Sequence, residues 1–204
     1  MAISQKKAIT PKAVKASSKK TGKQAKAAQQ KATVRIGSTP ATKFRGNADV
    51  FGRLVEDHDR HRMLLSMIEQ TEGKSPERQA LFEELNKELK SHAAAEEQAL
   101  WSTVLRNPAT TDHARHAIAE HKEIDDMLAD LAARDMETSV WLKRFAILKE
   151  EYLHHIKEEE QEQFIAAETH LADADTRYMC RVFNRRKKEE KAAAKLEKKI
   201  KLKS

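Results

Sequence analysis

The sequence predicts an all-α protein, an antiparallel, up-and-down bundle of four helices. Its 204 residues include only five Gly and four Pro, while Ala, Leu, Glu and Lys are abundant, so residues typical of turns and strands are scarce. Four segments repeat apolar residues at helical spacing, and only a few residues connect one segment to the next. Such short connections make sequential helices antiparallel neighbours.

Charge divides the chain into three parts. Residues 1–46 contain 12 Lys/Arg and no acid, residues 177–204 contain 12 Lys/Arg and three Glu, and the stretch between them has a net charge of −14. We therefore predict a basic, low-complexity, disordered tail over 1–46 and a four-helix domain over 47–173. The remaining residues, 174–204, should form a basic C-terminal helix or tail that is exposed or partly disordered.

The first two helices follow from apolar spacing and from residues typical of helix ends. The first should begin near Ala48 and continue until Gly73 stops it. Ser75 is a good N-cap, and Pro76 suits the first position of the second helix. That helix should end near Arg106, before an Asn-Pro pair.

The last two helices of the bundle show the same apolar period. The third should run through about 113–131, and the fourth should begin near Thr138 and extend to Phe164. Each of the four would be long enough to place residues from its middle in the centre of the bundle.

Three residues of metal-ligand type occur twice at one fixed offset. The second set lies 63 positions after the first, and in both sets the second His follows the first by 34 residues. The two sets are His58, His92 and Glu96, and His121, His155 and Glu159. A duplicated helical hairpin explains both spacings, because apolar residues such as Phe82 and Phe145 repeat at the same offset.

The spacing within each set favours a metal site. Positions i and i+4 lie on one face of a helix, so His92 with Glu96, and His155 with Glu159, aim two donors at one point. A single His-x-x-x-Glu pair would be equally typical of a solvated helix surface. The matched repeat places these residues on the apolar stripe, where an ionised carboxylate is costly unless it is paired or binds a cation.

These residues resemble the hemerythrin-like, or HHE cation-binding, domain over about 50–170. The matching segments are Asp57-His58, His92-Ala-Ala-Ala-Glu96-Glu97, Glu120-His121 and His155-Ile-Lys-Glu158-Glu159. The resemblance implies two non-haem iron ions joined by an oxo or hydroxo bridge. One iron would take His58 and His92, the other would take His121 and His155, and Glu96 and Glu159 would bridge the two.

The chain departs from the oxygen-carrying members at one position. Those members have a further His four residues after the third-helix ligand, where this chain has Asp125. Without that His the two irons are more alike and more open, or Asp125 or water fills the position. We therefore do not expect simple reversible oxygen storage. The reduced ligand set resembles that of bacterial-type members, which implies handling of O2, H2O2 or nitric oxide, or iron-linked sensing.

The sequence does not exclude other metals or additional ligands. Nitrogen and oxygen ligands also suit manganese and zinc. His61 is a candidate additional ligand because it lies three residues after His58, although the repeat places Ile124 at its equivalent position. Asp125 is the other candidate. A ferritin-like site would need Glu-x-x-His from two helices, and only Glu151-x-x-His154 fits.

The neighbouring acids and histidines have more ordinary interpretations. We expect Glu97, Glu158 and Glu160 to be solvated or to hydrogen-bond the ligating imidazoles. His154 points about 100° away from His155 around the helix and should lie on the surface or behind the ligands. The histidines without a repeat partner should be exposed: His113, His116 and His170.

The composition also indicates the cellular compartment of the protein. A single Cys180 excludes an internal disulfide and a cysteine-based metal cage. No apolar run approaches the roughly 18 residues of a membrane helix, and the first ten residues lack a secretory apolar segment. We expect a soluble, cytoplasmic protein without a membrane partner.

Three functions from different classes follow. The first is an enzyme that removes peroxide or related oxidants, with catalase-like turnover at a di-iron centre. The second is a non-enzymatic oxygen or iron sensor or metal-binding module. The third is a structural bundle whose basic tails bind nucleic acid non-specifically through phosphate contacts, although such tails also serve simply to keep a protein soluble.

Overall fold

The computed structural model describes residues 40–72 and 75–201, with side chains described up to residue 194. Throughout these residues the regular secondary structure is helical, which confirms the predicted all-α class. None of the helices in the described residues is long and apolar enough to cross a membrane. In chain order the helices are α1 (Val50–Glu69), α2 (Pro76–Glu96, Glu97–Trp101 and Ser102–Val104), α3 (Thr111–Ala132), α4 (Ser139–Glu158, Glu159–Gln163 and Phe164–Glu168) and α5 (Asp173–Lys201).

Polar side chains begin three of these helices. Asp49 accepts a hydrogen bond from the Gly52 amide at the start of α1, and Thr138 caps α4 in the same way. Ser75 accepts from the Arg78 amide, and Pro76 occupies the first turn of α2, as the sequence predicts. Each cap satisfies an amide that the first helical turn leaves without a partner. The predicted stop of α1, at Gly73, lies outside the described residues.

Two apolar clusters fill opposite ends of the helical bundle. The first joins the start of α1 to the end of α2 and the start of α3, with Phe51, Trp101 and Phe164 among its fully buried members. The second joins the end of α1 to the start of α2 and the start of α4. There Phe82 packs edge-on against Trp141, with ring centroids 5.2 Å apart. The polar residues of the repeat therefore lie between two dry apolar layers.

The C-terminal basic segment is helical, but its first part is not exposed. Helix α5 packs against α1 and α2, and it buries Met179, Phe183 and Lys187. The expectation of an exposed helix is therefore wrong for this part, because an apolar stripe accompanies its basic residues. At the other end, Phe44 falls within the predicted tail yet is fully buried against Phe51. The rest of that tail, residues 1–39, lies outside the described residues.

Gly52 allows the chain to fold tightly into α1. A Cβ atom at this position would lie 2.1 Å from the backbone oxygen of Asn47 and 2.8 Å from its carbonyl carbon. The atoms it would meet belong to the backbone, so no side chain can swing away to make room. The close approach of the two segments therefore requires glycine.

We expect Gly52→Ala to lower the free energy of unfolding by about 1–3 kcal/mol, because the added methyl forces the Asn47 backbone to move. An ordinary Gly to Ala change inside a helix would stabilise the protein instead. Urea unfolding followed by circular dichroism measures the difference. Glu56→Ala, at an exposed position of the same helix, is the control and should change stability by less than about 0.5 kcal/mol. A stabilised Gly52→Ala protein would contradict the steric argument.

Candidate metal centre

The structure brings the six repeated residues together in the middle of the bundle. They come from four helices, with His58 on α1, His92 and Glu96 on α2, His121 on α3, and His155 and Glu159 on α4. All six are buried, and Glu96 and Glu159 have no solvent exposure. The six residues can meet because each lies near the middle of its helix in the bundle.

A π-helical turn begins at or directly after each buried ligand-type glutamate. In α2 the turn covers Glu97–Trp101, directly after Glu96, and in α4 it covers Glu159–Gln163. A π-helical turn adds one residue to the helical turn, so more consecutive side chains can face the interior. In α4 this geometry buries Glu159 and Glu160 side by side, although they are adjacent in sequence. Such turns are frequent at functional sites.

The side chains form two groups that share Glu159. Ligand atoms of His58, His92 and Glu159 lie within 4.8 Å of one another, and so do those of His121, His155 and Glu159. One oxygen of Glu159, Oε2, lies 3.3 Å from Nε2 of His58, and the other, Oε1, lies 3.5 Å from Nε2 of His155.

Glu96 also lies between the two groups. Its Oε2 is 3.3 Å from Nε2 of His92 and 3.5 Å from Nε2 of His121. Each glutamate can therefore reach a cation held by the histidines of either half.

A carboxylate from a neighbouring helix orients every one of the four imidazoles. Nδ1 of each ring lies within hydrogen-bonding distance of a carboxylate oxygen, at 2.8 to 3.1 Å. The pairs are His58–Glu160, His92–Asp57, His121–Glu97 and His155–Glu120. These carboxylates are themselves related by the 63-residue offset. An Nδ1–H that donates to a carboxylate leaves Nε2 as a lone-pair donor, which is the usual arrangement behind a metal-ligating histidine.

The centre contains buried polar atoms without hydrogen-bond partners. Within the described residues these include Nε2 of His58, His92 and His121 and both carboxylate oxygens of Glu96 and Glu159. Leaving such groups unpaired in a dry interior costs several kcal/mol for each charge. Bound cations would compensate all of them together, and the nitrogen and carboxylate donors suit divalent first-row metals. The residues present therefore fit a metal centre.

The same carboxylates stabilise positive charge on the imidazoles. Burial alone would lower the pKa of His58, but Glu159 and Glu160 outweigh it and raise that pKa to about 9. His121 shows the same competition, with Glu96 and Glu97 raising its pKa to about 10. The raised pKa values favour protonated rings in the metal-free protein, and these protons would partly replace the charge of a metal.

Buried and partly buried cations surround the half of the centre that contains His58 and His92. Glu160 accepts from Arg62 at 3.0 Å, and Asp57 accepts from Arg53 at 2.7 Å. Asp57 also pairs with Lys187 of α5, whose Nζ lies 3.0 Å from Oε2 of Glu88.

Helix α5 closes this half of the centre. Its Phe183 packs edge-on against His92, with ring centroids 5.6 Å apart. The pKa of Asp57 lies well below its usual range, because His92 and Lys187 outweigh the effect of burial. The carboxylate that orients His92 is therefore held charged by a lysine from the C-terminal helix.

The half that contains His121 and His155 is more open. Glu97, which orients His121, has 40% of its side chain exposed, and Glu120, which orients His155, has 18% exposed. Within the described residues Glu120 forms ion pairs only with two histidines, His155 and His116. The two halves thus have matching donors but different access to solvent.

The two candidate additional ligands occupy different environments. Asp125 is half-exposed, and its carboxylate lies 3.8 Å from Nζ of Lys90 instead of joining either donor group. His61 is fully buried, with its ring 5.0 Å from that of His92 and its Nδ1 2.5 Å from the Tyr152 hydroxyl. Burial lowers the pKa of His61 well below its ordinary value.

Two of the three neighbouring glutamates contact the imidazoles as expected. Glu97 and Glu160 hydrogen-bond His121 and His58, whereas Glu158 pairs with His116 and His154 at the surface. His116 and His170 are exposed as predicted, while His113 is only partly exposed.

The sequence analysis did not predict that Asp57 and Glu120 orient His92 and His155. A signal was present, because both immediately precede a repeated His and both obey the 63-residue offset.

We expect metal binding at pH 7 to release about two protons per chain, since His58 and His121 must lose theirs before Nε2 can bind a metal. Because both pKa values lie above 7, apparent metal affinity should rise with pH until about pH 9–10 and fall on acidification. Anaerobic titration calorimetry in buffers of different ionisation enthalpy measures the released protons. The His92→Ala/His155→Ala protein, which lacks one histidine in each half, should release fewer. Metal uptake without proton release would rule out protonated imidazoles in the metal-free state.

We expect Lys187→Met to weaken metal binding in the His58/His92 half by about 10–100-fold, because Asp57 would lose the ammonium group that fixes it against His92. Metal content after dialysis against a weak chelator measures the loss, and circular dichroism confirms that the helices persist. Lys188→Met, at the exposed neighbouring position, is the matched control. Equal metal retention in the two variants would show that α5 does not support the centre.

Comparisons with known proteins agree with this geometry. The family model of the hemerythrin HHE cation-binding domain matches residues 49–167. A crystal structure of a hemerythrin HHE cation-binding domain-containing protein from Mycobacterium kansasii shares the fold, with a TM-score of 0.63 and 24% sequence identity. The match covers 76% of this chain and 90% of that one. No curated protein matches the sequence significantly. Since the family model matches more than half of the chain, the protein belongs to the hemerythrin HHE cation-binding domain family.

Proposed function

We propose that the protein holds two iron ions in the buried centre and uses them to bind and react with small oxidants, namely O2, H2O2 or nitric oxide, in oxidative or nitrosative stress or in iron handling. The observation that carries the proposal is the convergence of six buried donor side chains, seven of whose inward-facing atoms have no hydrogen-bond partner among the described residues. Bound iron would supply Lewis acidity and electrons for this chemistry.

The arrangement supports one ion in each half. His58 and His92 would hold the first ion, and His121 and His155 would hold the second. Glu159 has one oxygen directed to each half, and Glu96 lies between His92 and His121, so both can bridge. Two histidines and two bridging carboxylates supply four donors per ion, which leaves room for a small molecule.

His61 and Tyr152 provide a hydrogen-bond donor beside the centre. A Tyr152 hydroxyl that donates to Nδ1 of the neutral His61 ring places the ring proton on Nε2. Nε2 of His61 is buried and has no hydrogen-bond partner in the part of the chain that the structure describes, so it can donate to a ligand. In this tautomer Nε2–H of His61 is a hydrogen-bond donor, and we therefore assign His61 that role in preference to metal ligation.

Of the proposed substrates, H2O2 is the one that can react without an external source of electrons. Disproportionation converts two molecules of H2O2 into two of water and one of O2, so it needs no external reductant. It does require proton transfer between oxygen atoms, which His61 and Tyr152 can support. The apolar layers on both sides of the centre limit the access of bulk water to it.

We expect anaerobically loaded protein to bind about two irons per chain and to release O2 from H2O2, measured by metal analysis and with an oxygen electrode. His92→Ala/His155→Ala should lose both properties. Tyr152→Phe should keep its iron but turn over at least about tenfold more slowly, since it removes the hydroxyl that sets the His61 tautomer. His170→Ala, at the surface, is the control. O2 release by the His92→Ala/His155→Ala protein at the wild-type rate would contradict the proposal, and intact iron binding without turnover would favour a sensor.

A further inference from the structure

Two more His-x-x-x-Glu pairs face each other on the outer surface of α3 and α4. They are His116 with Glu120 and His154 with Glu158, and in each pair the two residues lie four positions apart. Nε2 of His116 lies 3.4 Å from Oε1 of Glu120 and 3.1 Å from Oε2 of Glu158. Nε2 of His154 lies 3.1 Å from Oε1 of Glu158. Two helices thus present two imidazoles and two carboxylates to one another.

The histidines of this cluster are exposed and its glutamates are partly exposed, in contrast to the side chains of the buried centre. The side chains of His116 and His154 are 56% and 60% exposed. In the part of the chain that the structure describes, Glu120 and Glu158 pair only with histidines and with no Lys or Arg. Among the described side chains, the carboxylates of this cluster therefore have no Lys or Arg beside them.

The distances suit a metal ion. Zinc binds histidine nitrogen and carboxylate oxygen at about 2.0–2.2 Å in tetrahedral geometry, so its ligand atoms lie roughly 3.3–3.6 Å from one another. The separations of 3.1 and 3.4 Å around His116 are close to that spacing. Ligand atoms of His116, Glu120 and Glu158 all lie within 4.8 Å of one another. The mixed nitrogen and oxygen donors suit Zn²⁺ and other divalent first-row ions.

We propose that His116, Glu120 and Glu158 form a solvent-facing site for one divalent transition-metal ion, separate from the buried centre, with His154 beside the site on the other oxygen of Glu158. The site does not depend on iron or on redox chemistry. It is connected to the centre through Glu120, whose Oε1 faces His116 while its Oε2 lies 2.8 Å from Nδ1 of His155. The carboxylate of Glu120 would therefore bind the outer cation and also orient His155 of the buried centre.

The test counts Zn²⁺ bound to full-length, metal-free protein by equilibrium dialysis. His116→Ala/His154→Ala should bind one ion fewer than the wild-type protein, and Glu158→Gln should lose the same ion without disturbing His155. His113→Ala/His170→Ala removes two histidines outside the cluster and should bind as many ions as the wild-type protein. Circular dichroism verifies that each variant keeps its helices.

The centre variant His92→Ala/His155→Ala separates this proposal from the proposed function. It should retain the ion that His116→Ala/His154→Ala loses, even if the buried centre binds no metal. Equal Zn²⁺ stoichiometry in the wild-type protein, His116→Ala/His154→Ala and Glu158→Gln would overturn the surface site. Loss of more than one ion in Glu158→Gln would also overturn it as a separate site.

Discussion

The burial of ionised carboxylates beside imidazoles is the constraint on which the rest of the structure depends. Glu96 and Glu159 lie fully buried between two apolar layers, where an uncompensated charge would outweigh much of the stability of a small domain. Protons on His58 and His121 relieve part of this cost in the metal-free protein, and cations would relieve more of it. Folding and metal binding are therefore energetically linked in this bundle.

The polar arrangement has two layers, and both follow the duplication. The inner layer directs Nε2 atoms and glutamate oxygens to the centre, and the outer layer holds each Nδ1 with a carboxylate from another helix. Each carboxylate in the outer layer thus joins two helices while it orients an imidazole. The same contacts position the donors and fix how the helices pack, so changes in this layer affect the geometry of the site and the stability of the bundle together.

Much of this could be predicted from sequence because helical periodicity and metal-ligand chemistry share one register. The repeat gave the six central residues, and Ser75-Pro76 gave the start of α2. The π-helical turns could not be predicted, since they arise where packing and buried polar groups override regular helix geometry. The burial of α5 was missed because its basic residues mask an apolar stripe, and the pairing of Lys187 with Asp57 joins residues 130 positions apart.

Because its lysines face inward, α5 belongs to the folded domain that contains the metal centre. The family match ends at residue 167, before α5 begins, yet Lys187 contacts the carboxylate that orients His92. A fragment cut at the family boundary would uncover Asp57 and Glu88 and remove the wall against which His92 packs. The net charge of the C-terminal segment likewise overstates its attraction for polyanions, because Lys187 and Lys191 are already neutralised within the protein.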